Sequence, residues 1–407
     1  MRMLAVIALS CAGAVWGQAV QPSEAKQPDA KQQAFQHPGV LVSRAQLDFV
    51  KKAVAEKRDP MFIAYQQAMA SKWGKLDYKM EGPPANGTIE CGSYDKPDKG
   101  CSWAHDDAMA AYIQSLLWYI SGDQRYADNA IKILNAYAQG LKQYTNTNAP
   151  LEAAWGAELW PRAGEILRYS NAGWKSEDIA TFSKMLKEVV LPKIEPGSSA
   201  NGNWELSMVY AMMNIAVFTD DRTLFYYAEA MWKERVPSYI YVEELDGSHP
   251  KPAPRGAQWT YWYGAASKKS TIELNKSVDG MTQETCRDLG HTSMGLAAMI
   301  DAAETAHIQG DELYESEQTR LVDAMEFDSH LLLKKEPVPA MVCGGKLNYA
   351  KTDTFVIGYN EFHNRLGVEM PQTREWLEQH VENDTAPQKM FMIVFEPLTH
   401  GADAGIK

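Results

Sequence analysis

The chain has 407 residues and a formal net charge of −12, from 40 Lys and Arg against 52 Asp and Glu. This acidic balance argues against a protein that mainly binds nucleic acid, because phosphate contacts need a surface dominated by Lys and Arg. With 45% hydrophobic and 23% charged residues, the composition is that of a folded globular protein and excludes global disorder.

The first residues have the pattern of a secretory signal peptide. Arg2 supplies a positive charge, residues 4–15 are apolar but too few to span a bilayer, and Gly17-Gln18-Ala19 offers a cleavage site. The following stretch is rich in Gln, Lys, Ala and Pro, as in a disordered spacer. We therefore expect a signal peptide over residues 1–19, a spacer over 20–36, and one domain over 37–407. The product would be secreted or periplasmic, without a membrane span.

Four cysteines remain once the signal peptide is removed. Cys91 and Cys101 bracket a short polar loop, and an oxidising compartment would close it as a local disulfide. Cys286 and Cys343 either pair or stay as buried thiols. No CxxC motif and no pair of histidines at metal-ligand spacing occurs, so no metal site is predicted.

A unit of helix, short polar turn and helix recurs along the chain. Residues 104–120, 205–218 and 291–308 are apolar almost all round, and each is broken by a polar turn. Amphipathic segments follow at 126–141, 224–236 and 314–326. Further helices are predicted at 43–56, 61–72, 151–169 and 176–190.

Helical hairpins that cannot bury themselves must stack on their neighbours. Irregular spacing and long loops favour a closed ring over an open solenoid. The predicted fold is therefore mainly α, an (α/α)n toroid built as an incomplete barrel of hairpins. Residues 244–263 and 346–362 have more turn and β character, so a few short strands are expected there.

Asn203 stands where an apolar helix begins. An Asn at this position is commonly a helix cap, but its amide also lies where the helix dipole favours a bound carboxylate. A second group lies in the loop of residues 248–263, which contains His249, Arg255, Tyr261 and Tyr263. Aromatic rings can pack in a core or stack on sugar rings, and a guanidinium can grip a sugar carboxylate.

The third group is Glu284-Thr-Cys-Arg287-Asp288-Leu-Gly-His291, in which Arg287 and His291 stand one turn apart at the mouth of a helix. An ion pair that only caps the helix is the alternative interpretation. Other residues that would line a groove, or else fill the core, are Trp103, His105, Trp155, Glu158, Trp160, Arg162 and Trp204.

Taken in order, these motifs resemble the alginate lyase superfamily of polysaccharide lyases. The resemblance is carried by the Asn203 segment, by Asp246-Gly-Ser248 leading to Arg255 and Tyr261, and by Glu284-x-x-Arg287-Asp288-x-x-His291. Supporting segments are His37-Pro-Gly39, Gly358-Tyr-Asn360 through Gly367, and Pro397-Leu-Thr-His400-Gly401. The resemblance covers the chain from His37 onward.

This resemblance implies β-elimination on a 1,4-linked polyuronate such as mannuronan, alginate or glucuronan, with no metal or organic cofactor. Asn203 and Arg255 would neutralise the carboxylate beside C5, and Tyr261 would protonate the departing O4. Trp103, Trp155, Trp204, His105, Arg162, Arg287 and Tyr263 would bind the anionic polysaccharide.

One position departs from the better-known relatives, which have His after the carboxylate-binding Asn where this chain has Trp204. A separate base would then be His249 or His291; otherwise Tyr261 acts alone on one face of the ring, which suits mannuronate or glucuronate. Tyr263 can substitute for Tyr261 if the loop alignment slips by two residues.

Two other functions compete with the lyase interpretation. A glycoside hydrolase on the same scaffold would need two carboxylates, for which Glu158 and Asp288 are candidates. A noncatalytic glycan-binding protein would keep the aromatic groove without the chemistry. The sequence does not predict the oligomeric state.

Overall fold

Helices dominate the computed structural model, which describes residues 34–93, 96–199, 202–254, 262, 278–349, 355–380 and 395–402. Phe35–Lys407 group as one compact unit. The predicted signal peptide and almost all of the spacer lie outside the described residues, as do Arg255, Tyr261 and Tyr263.

The described helices are numbered here in chain order. They are α1 (Arg44–Ala55), α2 (Met61–Ala70), α3 (Cys101–Ser121), α4 (Gln124–Gly140), α5 (Ala149–Tyr169), α6 (Ser176–Met185), α7 (Leu191–Ile194), α8 (Gly202–Phe218), α9 (Arg222–Tyr239), α10 (Glu243–Asp246), α11 (Leu289–Ile308), α12 (Leu313–Ser316), α13 (Gln318–Leu333), α14 (Val356–Tyr359), α15 (Pro371–His380) and α16 (Glu396–His400). One-turn π-helices at Leu186–Val190 and Asn360–Arg365 extend α6 and α14.

The predicted hairpins α3/α4 and α8/α9 are present, and their turns follow local chemistry. Gly122 ends α3 with a φ of 75°, a left-handed conformation that glycine adopts without strain. Asp123 then caps α4 by accepting the N–H of Arg125, and Asp221 caps α9 by accepting that of Leu224. In the third hairpin the partner of α11 is divided into α12 and α13.

Four almost wholly buried helices, α3, α5, α8 and α11, form the inner wall of the fold. Successive members of this set pack directly on each other. In the middle of α5, Arg162 donates to Asp301 of α11 at 2.7 Å and lies over the rings of Tyr112 of α3 and Tyr210 of α8. Contacts near the N-terminal ends fix their direction: His105 of α3 meets Glu152 of α5, and residues near the starts of α5, α8 and α11 pack together. The inner helices therefore run parallel, as expected of the predicted (α/α) toroid.

The short strands lie elsewhere than expected. Thr88–Cys91 pairs antiparallel with Asp98–Lys99 and parallel with Gln143–Thr145. In residues 346–362 the prediction of β character was wrong over 356–362, which is helical. Glu361 and Arg365, one turn apart, pair at 2.8 Å and add to the stability of this helix. In residues 244–254 the described chain forms one helical turn and loop.

Two disulfides fasten these segments. Cys91 is bonded to Cys101, as predicted, and Cys286 is bonded to Cys343, a pairing that the sequence left open. Among the described helices, none combines the length and apolar character needed to cross a membrane.

Candidate active site

A small apolar cluster, separate from the main core, lies at the N-terminal ends of the inner helices. Leu151 and Trp155 of α5 pack there with Ala297 of α11, and the half-buried side chains of Trp204 and Met294 complete it. We call this cluster the aromatic floor. Its members come from the first three turns of α5, α8 and α11, so the positive ends of three helix dipoles lie on this side of the fold. This placement favours an anionic ligand even though the whole chain is acidic.

His105, in the first turns of α3, borders the aromatic floor. Its ring meets that of Trp155 edge-on, with centroids 5.3 Å apart, and its Nε2 lies 2.6 Å from Oε2 of Glu152. Glu152 is buried, so its carboxylate fixes the orientation of the His105 ring.

Glu284 is the centre of a buried polar network on the other side of the floor. Its two carboxylate oxygens each lie 2.7 Å from Nδ2 of Asn203, and they also accept Nη1 of Arg287 at 2.8 Å and the hydroxyl of Tyr239 at 3.0 Å. Burial and the negative charge of Glu284 raise the pKa of Tyr239 well above its ordinary value, so the phenol stays protonated and donates.

Close backbone approach makes this network possible. The Tyr239 ring lies against Gly202 and Gly295, where an added Cβ would stand 2.1 Å and 2.3 Å from atoms of the ring and its hydroxyl. Only glycine at both positions leaves Tyr239 room to reach Glu284.

His291 and Asp288 form a hydrogen-bonded pair at the start of α11. Oδ2 of Asp288 lies 2.6 Å from Nδ1 of His291, and Oδ1 accepts the His291 backbone N–H at 2.8 Å. Burial alone would raise the pKa of Asp288, but these hydrogen bonds outweigh burial and hold the pKa below its ordinary value. An ionised Asp288 keeps the proton of His291 on Nδ1 and leaves Nε2 as the acceptor.

The other predicted site residues are placed differently. His249 is exposed and contacts the Ser248 hydroxyl at 2.6 Å, and Trp103 is one of the exposed large hydrophobic residues described, at 46%. Arg162 does not lie at the floor: it is buried in the middle of α5, where it pairs with Asp301 of α11. These roles, like those of the residues outside the described segments, remain predictions.

The structure corrects the surroundings of Asn203. Its side chain is 1% exposed and its amide nitrogen is directed at Glu284, so the neighbour of this amide is a carboxylate of the protein itself. Sequence reasoning missed Glu152, Tyr239 and the central position of Glu284. The spacing Glu284-x-x-Arg287 was a usable signal, since residues three apart in one turn can pair.

Among the described residues, no cluster of three or more His, Cys, Asp or Glu side chains has metal-binding geometry. The groups at the aromatic floor are the Arg287 guanidinium, the pairs His105–Glu152 and His291–Asp288, and aromatic rings. This set can bind a carboxylate, stack on sugar rings and move a proton.

Similar proteins agree with this interpretation. The alginate lyase family matches residues 70–336. Alginate lyase A1-III from Sphingomonas species A1 has a similar structure, with 14% identity, a TM-score of 0.56, and coverage of 85% of this chain and 93% of that one. A Tyr-to-Phe variant of alginate lyase A1-III, complexed with a tetrasaccharide, has 15% identity and a TM-score of 0.51, and the match covers 92% and 96% of the two chains. No curated protein sequence matches.

The family match extends over well more than half of the chain and includes α3 to α11, with every residue of the aromatic floor and of the Glu284 network. The two solved structures share the helical toroid fold. The protein thus belongs to the alginate lyase family and is a polysaccharide lyase.

Proposed function

We propose that the protein cleaves a 1,4-linked polyuronate, namely mannuronan, alginate or glucuronan, by β-elimination at the aromatic floor. The observation that carries this proposal is the His291–Asp288 pair standing beside Arg287 at the N-terminal end of α11. A proton acceptor and a carboxylate-binding cation side by side are what elimination next to a sugar carboxylate needs.

The first requirement is to neutralise the carboxylate attached to C5, because its negative charge opposes removal of the C5 proton. Arg287 is suited to this role, since its side chain is 23% exposed and Glu284 holds the guanidinium through Nη1. Asn203 is buried behind Glu284, so we assign it a supporting role: it orients the carboxylate that orients Arg287.

The second requirement is proton transfer. We assign the base to His291 rather than to His249, because His291 has a carboxylate partner that fixes its tautomer and its side chain is 34% exposed. Nε2 of His291 would take the C5 proton, the electron pair would form the C4–C5 double bond, and O4 would leave with a proton. The acid remains Tyr261, as the family resemblance implies.

The aromatic floor would hold the sugar rings. Trp204 presents half-buried aromatic surface beside Met294, supported from behind by the buried ring of Trp155, which His105 borders. Apolar faces of pyranose rings stack on such surfaces, while the helix N-termini attract their carboxylates. If His291 and Tyr261 both act from the same face of the sugar ring, elimination would favour mannuronate or glucuronate over guluronate, because only in the first two do the C5 hydrogen and O4 lie on one face.

Of the two competing functions, hydrolysis is poorly supported by the position of Glu158. This residue is 0% exposed and lies in the layer of Arg162 and Asp301, below the floor. The two carboxylates of a hydrolase must both reach the glycosidic bond. The noncatalytic binding function is distinguished by experiment.

Export from the cytoplasm is part of the proposal. Both disulfides join segments of the described domain, and structural disulfides persist in oxidising compartments. Mass spectrometry of the secreted or periplasmic fraction tests export, with an N-terminus near residue 20 as the expected result.

The deciding experiment incubates the purified protein with polymannuronate, polyguluronate and glucuronan and follows the ultraviolet absorbance of the unsaturated product. We expect absorbance to rise on polymannuronate or glucuronan, and His291→Asn and Tyr261→Phe to abolish the rise. New reducing ends without absorbance would indicate hydrolysis. Binding of the polymers without either signal would indicate a noncatalytic protein, and a rise confined to polyguluronate would contradict the same-face mechanism.

A further inference from the structure

The chain segments that precede and follow the loop containing His249 pair with each other. Residues 239–243 run antiparallel beside residues 279–283: Tyr241 N–H donates to Met281 O at 2.9 Å, Gly280 N–H to Tyr241 O at 2.9 Å, and Gln283 N–H to Tyr239 O at 2.7 Å. We call these two short segments the stem. Ile240 and Thr282 form a β-bridge in it.

A buried arginine from an outer helix fastens the stem to the first turn beyond it. Arg320 of α13 is 2% exposed. Its Nη1 donates to Ile240 O at 2.8 Å and to Oδ2 of Asp246 at 2.6 Å, and its Nη2 donates to Oδ1 of Asp246 at 2.6 Å. A planar guanidinium that meets both oxygens of one carboxylate fixes orientation as well as distance.

The Asp246 carboxylate has further partners besides Arg320. It also accepts the backbone N–H of Val242 at 3.0 Å and lies 3.3 Å from Nζ of Lys251. Burial would raise its pKa, but Arg320 and the Val242 N–H outweigh burial and hold the pKa below its ordinary value. The carboxylate therefore stays ionised and paired with Arg320 at neutral pH.

The stem leads directly into the proposed active site. Tyr239 and Gln283 lie at the same end of the stem: the Tyr239 hydroxyl donates to Glu284, and the Gln283 side chain accepts the backbone N–H of Gly202 at 2.9 Å. Glu284 follows Gln283 in the chain and holds Arg287. A shift of the stem would therefore move the Glu284 network and His249 together.

From these contacts we infer that Arg320 is a positioning residue of the lyase: through Asp246 and Ile240 it sets the stem, and through the stem it aligns the Glu284 network with substrate. This inference rests on the proposed function. Arg320 lies on an outer helix and takes no part in proton transfer. Misplacement of reacting groups by about 1 Å can lower the rate about a hundredfold.

The test is Arg320→Lys, which keeps the positive charge and loses the bidentate contact with Asp246. The matched control is Arg365→Lys, because Arg365 is a half-buried arginine that also meets both oxygens of a carboxylate, at 3.0 Å each, on Glu304 in the C-terminal half of α11. At a temperature where both variants are fully folded, we expect kcat on the preferred polyuronate to fall tenfold to about a hundredfold in Arg320→Lys and less than about threefold in Arg365→Lys.

A second experiment measures kcat of Asp246→Asn and of the double variant Asp246→Asn/Arg320→Lys. If both side chains act through one contact, the double variant should lose no more activity than the worse single variant. Additive losses, or equal kcat values in Arg320→Lys and Arg365→Lys, would overturn the inference.

Hydrogen exchange supplies a readout that does not depend on activity. Backbone amides of residues 241–247 should exchange faster in Arg320→Lys and at the wild-type rate in Arg365→Lys. Unchanged exchange would show that Arg320 does not fix the stem. If the wild-type protein eliminates none of the polymers, the proposed function and the catalytic part of this inference both fail, while the exchange data still decide whether Arg320 holds the stem.

Discussion

Asp288 contacts His291 twice: Oδ2 lies 2.6 Å from the ring Nδ1 and Oδ1 accepts the backbone N–H at 2.8 Å. The first contact fixes the tautomer of the proposed base, and the second caps α11. One side chain thus serves the reaction and the helix through different oxygens, and the two roles can be separated by mutation.

Asp288→Asn should lower kcat about a thousandfold, because an amide does not stabilise the protonated ring or enforce the reactive tautomer. Asn is as good a helix cap as Asp, so the free energy of unfolding should change by less than about 0.5 kcal/mol. Asp288→Ala should lose the cap as well and cost about 1 kcal/mol. Steady-state kinetics and thermal unfolding of both variants provide the check, and an Asp288→Asn enzyme with near wild-type kcat would exclude His291 as the base.

The aromatic floor predicts a binding effect at Trp204. Trp204→Ala removes half-buried ring surface from the floor and should raise KM roughly tenfold, which corresponds to about 1.4 kcal/mol of lost binding. Tyr226→Ala is the control, because Tyr226 is an exposed aromatic residue of the outer helix α9. Equal KM values in the two variants would show that substrate does not contact the floor.

Substitution of Glu158 tests whether the enzyme uses this carboxyl group, as hydrolysis would require and elimination would not. Burial raises its pKa well above the ordinary value despite the nearby charge of Arg162, which favours the protonated, neutral form. Glu158→Gln matches the shape of that neutral form at a position that is 0% exposed and should change kcat by less than about threefold. Kinetics on the preferred polymer test this, and loss of activity in Glu158→Gln would revive a catalytic role for this carboxyl group.

The helical hairpins were predictable because their signal is local. An apolar helix, a polar turn with Gly or Asp, and an amphipathic helix are each encoded within about twenty residues. The site was predictable only in part. Asp288 and His291 lie three residues apart, so their pairing follows from helix geometry, whereas Glu152 meets His105 from 47 positions away.

The surroundings of Asn203 illustrate what the sequence cannot reveal. Its partner Glu284 lies 81 residues away and is also held by Tyr239, which packs against two glycines. The sequence indicates an amide at a helix N-terminus, and whether that amide faces a ligand or a buried carboxylate depends on tertiary packing.

Glu304 should be important for stability and not for chemistry. It is buried and accepts both terminal nitrogens of Arg365 at 3.0 Å and the hydroxyl of Tyr314 at 3.2 Å. Burial would raise its pKa, but His400 and Arg365 outweigh burial and hold the pKa well below the ordinary value. Glu304→Gln removes one of the two carboxylates, Glu304 and Glu361, that pair with Arg365, and it should cost about 3 kcal/mol in the free energy of unfolding. Glu315→Gln, at an exposed position, should cost less than about 0.5 kcal/mol. Chemical denaturation measures both, and equal stabilities would contradict the structural role of Glu304.

His37 predicts how stability varies with pH. Nδ1 lies 2.8 Å from Glu165 and Nε2 lies 3.1 Å from Asp220, while the ring stacks on Tyr169 with centroids 4.1 Å apart. Burial lowers the pKa of His37, but hydrogen bonds to and charges of Glu165 and Asp220 outweigh it and raise the pKa above 6.5. Burial also raises the pKa of Glu165, and Arg168 lies 3.7 Å from Asp220.

A histidine whose pKa is higher in the folded state contributes its full stabilisation below its unfolded pKa and loses it as pH rises through the folded pKa. Stability of the wild-type protein should therefore decline as pH rises above 6.5, and this part of the decline should disappear in His37→Asn. His330→Asn, at a half-buried histidine of α13, serves as the control and should keep the wild-type dependence. The measurement is the thermal unfolding temperature of each protein at pH values below and above 6.5. Identical pH dependence in wild-type and His37→Asn proteins would mean that the charge of His37 does not contribute to folding.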